Sequence, residues 1–100
     1  MLKGGEGIPQ NYHQAFKWIR VSAEQGSPSG QYYLGLVYNN GVIIEENLEK
    51  AAKWYQLSAE QGYKDAQYNL GVLYEHGEGV TQNYQEAFKW YTLGAEQGDD

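Results

Sequence analysis

A chain of 100 residues with thirteen acidic against seven basic side chains, formal charge −6, repels a phosphate backbone on average, which argues against nucleic acid as a partner. The lack of cysteine removes disulfides, thiolate nucleophiles and zinc–thiolate sites together. No apolar run approaches the ~20 residues that span a bilayer, and residues 1–10 carry one lysine and no hydrophobic region, so neither a membrane partner nor a signal peptide is read here.

One frame of 36 residues runs through the chain. Residues 26–61 and 62–97 match at sixteen of thirty-six positions, and the second half of the unit also lands on the start of the chain. Asn11, Asn47 and Asn83 fall together, as do Ala15, Ala51 and Ala87, the tryptophans Trp18, Trp54 and Trp90, and the glycines Gly26, Gly62 and Gly98 that close each unit. A period of this length with helical character inside it marks a helical-repeat solenoid. The expected fold is all-α, with no strand. It divides into a partial repeat at 1–25, repeats at 26–61 and 62–97, and the start of a missing unit at 98–100, as in a fragment of a longer array.

In chain order, residues 3–10 match the loops at 39–46 and 75–82, with Gly5 and Gly7 equivalent to Gly77 and Gly79. Asn11 caps a helix over 11–25, and Asn11 with Gln14 has capping-box spacing. Gly26 stands where a helix leaves through the left-handed region. Ser27 caps the next helix, 28–40, with Pro28 at its first position, where a missing N–H costs nothing. Asn47 caps the helix over 47–61 but has Lys50 three residues on, so its box is lost and its start is expected to be less firmly held. The helix over 64–76 has Asp65 near its positive end. The last helix, 83–97, has both halves of a box in Asn83 and Glu86.

Around the 64–76 helix, Tyr63, Ala66, Gln67, Leu70, Leu73 and Tyr74 share one broad face at 100° per residue, while Tyr68 and Val72 point nearly the other way. A helix apolar on two sides suits the inner layer of a solenoid. Gly35 and Gly71 sit mid-helix at a cost of ~1 kcal/mol each relative to alanine, which close helix contact would explain. In the other helix type, Ala51, Trp54 and Ser58 form a stripe that Tyr55 widens. The three tryptophans read as a stacked spine filling the gaps between units, with Trp54 in the central copy the costliest ring to remove.

Taken together, Ala66, Leu70, Gly71, Tyr74, Gly77, Gly79, Glu86, Ala87, Trp90, Tyr91 and the closing Ala95 to Gly98 resemble the Sel1-like repeat family, relatives of the tetratricopeptide repeats. The resemblance implies a right-handed superhelix of antiparallel helix pairs whose first helices line the concave side. It also implies a non-catalytic adaptor that binds a protein or peptide, in settings that include bacterial host interaction. Some members with cysteines in each repeat bind or hydrolyse β-lactams; this chain lacks those cysteines. It also departs at Ile43, where Gly7 and Gly79 are the equivalents, so the middle loop is expected to take another shape.

Ten tyrosines suit an interface, since the ring is rigid and apolar with a polar tip. Tyr38 and Tyr74 hold a recurring core position and read as structural. Positions that vary between units are better candidates for a partner. These are Ser29, Tyr33, Leu36 and Asn40 in one unit, and Asp65, Asn69, Val72 and His76 in the next. His13 and His76 lie on different elements without ligand spacing, and Glu75, His76 and Glu78 make a poor metal set without a second histidine. No serine, histidine and aspartate are brought together by the period, and Gly77-Glu78-Gly79 lacks the context of a phosphate loop. Glu45, Glu46 and Glu49 read as a solvated acidic face. No catalytic residue, cofactor or metal is therefore assigned. Phe16, Trp18 and Ile19 on the first helix, with Ile43 and Ile44 in the middle loop, are expected to self-associate, by end stacking or by exchange of terminal helices.

Overall fold

The computed structural model describes residues 10–97, with side chains from Tyr12 onward. Five helices follow one another: α1 (Gln10–Glu24), α2 (Pro28–Asn40), α3 (Leu48–Glu60), α4 (Lys64–His76) and α5 (Tyr84–Gln97). No strand occurs among the described residues. The loop glycines Gly5 and Gly7, and Gly98 with the start of a further unit, lie outside them. α1 already includes Gln10, so Asn11 stands inside the helix rather than at the cap position expected of it. Each helix packs against the next in sequence, which builds an α-solenoid measuring 41 × 25 × 23 Å.

The helix ends follow from local chemistry. Ser27 Oγ accepts from the Gly30 N–H at 3.2 Å, and Pro28 begins α2. At Gly26 and Gly62 the chain turns with positive φ, and the following N–H reaches back to Ser22 and Ser58 in paired closing bonds. The box at Asn83 does not close. Asn83 Oδ1 accepts from the Glu86 N–H at 3.0 Å, but the Asn83 N–H already donates to the Tyr74 carbonyl at 2.9 Å. The Glu86 carboxylate instead lies 3.3 Å from Lys89 Nζ. Asn47 makes the same two bonds, to the Lys50 N–H and the Tyr38 carbonyl, so α3 starts as firmly as α5 and Lys50 costs it nothing. The tie from the inner helix to the cap asparagine replaces the box.

The core runs along the seams between helices. Ala51, Ala52, Tyr55, Ala59, Ala66, Leu70, Leu73 and Trp90 form one buried cluster, with Tyr63 and Tyr74 packed at its margin. The face read on α4 is therefore the buried one, and Tyr68 is exposed. Gly35 and Gly71 are close-contact sites: a Cβ there would lie 2.6 Å from the Tyr55 ring and 2.8 Å from the Tyr91 ring. The small residue lets an aromatic ring of the paired helix lie on the backbone.

The tryptophans do not form a uniform spine. Trp90 is 5% exposed, Trp54 is half-buried and Trp18 is 74% exposed. Trp90 belongs to the cluster that holds Ala51 and Ala52 of the preceding repeat. The α1 positions equivalent to those alanines are Ala15 and the bulky Phe16. The ring at the centre of the core is Tyr55, at 0% exposure, adjacent in sequence to Trp54.

Candidate interaction face

α2 and α4 present the positions that differ between repeats, and the structure sorts them into two halves. In the first half, the Tyr32 ring stands 5.2 Å from Tyr33 and 5.2 Å from Tyr63, so residues from both helices form one aromatic patch. Tyr33 is 47% exposed and Asp65 is exposed beside the patch. Burial, and after it the Asp65 carboxylate, push the Tyr32 phenol up. The Tyr63 phenol is raised by burial, then by Tyr33 and Asp65. The Tyr55 hydroxyl accepts from Asn39 Nδ2 at 3.0 Å; burial raises that phenol, and the neighbouring amides, Asn39 first and then Asn69, oppose the shift. Ser29 Oγ lies 3.2 Å from Ser27 Oγ at the helix start.

In the second half the side chains are committed elsewhere. Asn40 Oδ1 accepts from the Val42 N–H at 3.0 Å, and His76 Nδ1 lies 3.0 Å from the Val72 carbonyl. Leu36 packs against the core cluster, and Val72 is half-buried. Tyr33 and Tyr63 have Asn69 and Ser27 at the equivalent places in the other repeat, so stacking of repeats does not require either ring.

A groove of about 870 Å³ continues this face toward α5, lined by Tyr32, Asp65, Tyr68, Asn69, Tyr91 and Ala95 among others. The Tyr68 and Tyr91 rings stand 5.5 Å apart, and the Tyr91 hydroxyl donates to Glu75 Oε1 at 2.7 Å. Burial first, then the bond to Glu75, push the Tyr91 phenol up to about 12 from 10.0. Since folding favours the protonated phenol, its contribution is complete below pH 10, where Tyr91 is neutral folded or unfolded. That contribution is lost as the pH climbs through about 12. Urea midpoints should fall over this alkaline window for the parent and fall less for Tyr91→Phe. Identical slopes would remove the Tyr91–Glu75 bond from the account.

A second groove, of about 740 Å³, runs beside α3 between Lys53, Trp54, Leu57 and Val80. Phe16, Ile19, Ile43 and Ile44 are half-buried, and the Arg20 guanidinium lies 5.9 Å over the Phe16 ring. Sequence reasoning missed a glutamine ladder. Gln31 Nε2 donates to the Ala23 carbonyl at 3.3 Å and its Oε1 accepts from Gln61 Nε2 at 2.7 Å; Gln67 repeats this with Ala59 and Gln97 at 3.1 and 2.7 Å. The recurrence of Gln31 with Gln67 and of Gln61 with Gln97 was the available signal. Also missed were Phe88 and Tyr84 on α5, at 73% and 67% exposure. Among the described residues no group of three or more His, Asp or Glu side chains could hold a metal ion. No helix among them is long and apolar enough to cross a membrane.

The Sel1 repeat family model matches residues 1–27, 28–63 and 64–99. Comparison with curated proteins gives no match. Among solved structures, the chain is similar to c5321, a protective antigen present in uropathogenic Escherichia coli strains and displaying an SLR fold, at 41% identity and a TM-score of 0.85 over 95% of this chain and 20% of that one. A Sel1 repeat protein from Oxalobacter formigenes is similar at 41% identity and a TM-score of 0.85, over 95% of this chain and 38% of the other. Cysteine rich protein B of Helicobacter pylori shares 27% identity with a TM-score of 0.83, over 89% of this chain and 67% of its own. The chain thus spans well under half the length of the first two.

Proposed function

The chain belongs to the Sel1 repeat family, and we propose that the inner face of α2 and α4 is a non-catalytic docking surface for a peptide or protein segment. One observation carries this reading. Tyr32, Tyr33 and Tyr63 meet at ring separations of 5.2 Å beside Asp65, and two of these rings are not demanded by repeat packing. Rings held this way offer apolar area at small cost in conformational entropy, and the phenol tips and Asn69 supply hydrogen bonds for a backbone. α2 bears no charged residue, so an extended segment crosses it without stripping a charge of water.

Peptides selected from a random library against the chain test this. Tyr33→Ser should weaken the selected peptides roughly tenfold or more, the effect of losing an aromatic anchor. Helicity should stay at the parent value, because Tyr33 is half exposed. Affinity unchanged by this substitution would put the contact elsewhere.

A second reading is favoured by the exposure of Trp18 and Phe88, at 74% and 73%, on the first and last helices. Here the chain is a structural segment that associates with itself through its repeat ends. The lack of cysteine leaves the β-lactam reading without the residues that the cysteine-bearing members carry.

A further inference from the structure

The aromatic patch is made where α2 and α4 meet, and α3 backs it through Tyr55, whose ring lies 6.0 Å from that of Tyr32. It is rich in acceptors and short of donors. Tyr32 stands at its centre, with the Tyr33 and Tyr63 rings each 5.2 Å away. Among the described residues, tyrosine hydroxyl bonds are made by Tyr55, Tyr84 and Tyr91, and by none of these three.

Asp65 adds a carboxylate to the same place. For the Tyr32 phenol burial is the first cause of its upward shift and Asp65 the next; for Tyr63 the order is burial, Tyr33, then Asp65. The four groups are thus within electrostatic reach of one another. The ion pairs among the described residues are Arg20–Glu24 and Lys89–Glu86, so none of them neutralises Asp65. Lys64 precedes it and lines the same groove, but neighbours on a helix diverge by 100° and the two make no ion pair.

We propose that this patch takes an arginine side chain of the docked segment, its guanidinium stacked on a tyrosine ring and paired with Asp65. Ring faces are negative at their centres and attract a cation, and the carboxylate and phenol oxygens all accept hydrogen bonds. Arginine brings five N–H donors in a plane that stacks on a ring and forks onto a carboxylate, and it sheds water more readily than an ammonium group. An apolar side chain would cover these oxygens and give them no donor, and an acidic one would be repelled. α2 carries no charge and the chain as a whole is at −6, so the rest of the surface does not oppose a basic segment.

This inference rests on the docking reading above and names the chemistry that the surface selects. Its probe is a fluorescently labelled peptide of three Arg-Ser-Gly units, followed by anisotropy in about 0.15 M salt, where charges beyond about 8 Å are screened. The citrulline counterpart keeps the shape without the charge and should bind roughly tenfold or more weakly. Asp65→Asn, at an exposed position, should keep parent helicity and weaken the arginine peptide about fivefold, the upper end for a solvent-exposed pair. Glu45→Gln removes the same charge from an exposed loop and should leave its affinity unchanged. Equal binding of the two peptides, or equal losses for Asp65→Asn and Glu45→Gln, overturns this inference. If library-selected peptides depend on Tyr33 while the arginine peptide does not bind, the docking reading stands and this inference alone falls. If neither kind of peptide responds to Tyr33→Ser, both fall.

Discussion

Tyr55→Ala is expected to lower the stability of the chain by about 3–5 kcal/mol, the range for deleting a buried aromatic ring. The ring is wholly buried and lies on Gly35, between Ala51 and Ala59. The Gly35 backbone against which it lies is fixed by α2, so the space left behind cannot collapse from that side. The hydroxyl also accepts from Asn39 Nδ2 at 3.0 Å, and its removal strips a half-buried amide of that partner. Trp90→Ala should cost less than its size suggests, because the buried indole N–H has no partner within the described protein and is released on truncation. Trp54→Ala should cost least of the three, since that ring is half-buried. With roughly 4–8 °C of melting temperature per kcal/mol in a domain of this size, Tyr55→Ala should melt more than about 12 °C below the parent. A larger drop for Trp54→Ala than for Tyr55→Ala would move the centre of the core back to tryptophan.

That ordering marks where sequence reasoning reached its limit. Trp54 and Tyr55 both recur at 36 residues, and recurrence says that a position is structural without saying which of two neighbours faces inward. Adjacent residues on a helix differ by 100°, and larger apolar area favoured the wrong one. The helices themselves were legible because Ser27, Pro28, Asn47 and the closing glycines mark their ends by local chemistry, which needs no tertiary partner. The capping box was not, because the competing acceptor for the Asn83 N–H is the Tyr74 carbonyl, nine residues away on another helix. The interaction face was half legible. Variation between repeats singled out Tyr33, Asp65 and Asn69, which lie on one face, but it also selected Asn40 and His76, whose side chains bond to backbone at helix ends. Tyr32 and Tyr63 were missed as binding candidates, one because it recurs and the other because it reads as a helix-start residue.

Gly79→Ala is expected to be the most damaging single-methyl change in the loops. Gly79 holds φ at +76°, and an alanine there costs roughly 1–2 kcal/mol in backbone conformation alone. A Cβ would also overlap the Leu48 carbonyl at the start of α3, which is backbone and cannot rotate away. Moving the loop outward adds about 1–3 kcal/mol of the kind seen on overpacking, and it lifts Val80 from the margin of the core cluster. The two costs together come to roughly 2–5 kcal/mol. The middle loop provides the contrast. Ile43 occupies the equivalent place, and among the described residues no non-glycine residue has positive φ, so that loop takes another backbone path. Ile43→Gly should therefore cost no more than about 1 kcal/mol in added chain freedom, beyond whatever packing the half-buried side chain gives up. Urea titration of both variants decides the matter. A Gly79→Ala midpoint equal to the parent would mean that the third repeat does not rest its loop on α3, and that the close contact at Leu48 is not what holds the last two helices to the rest.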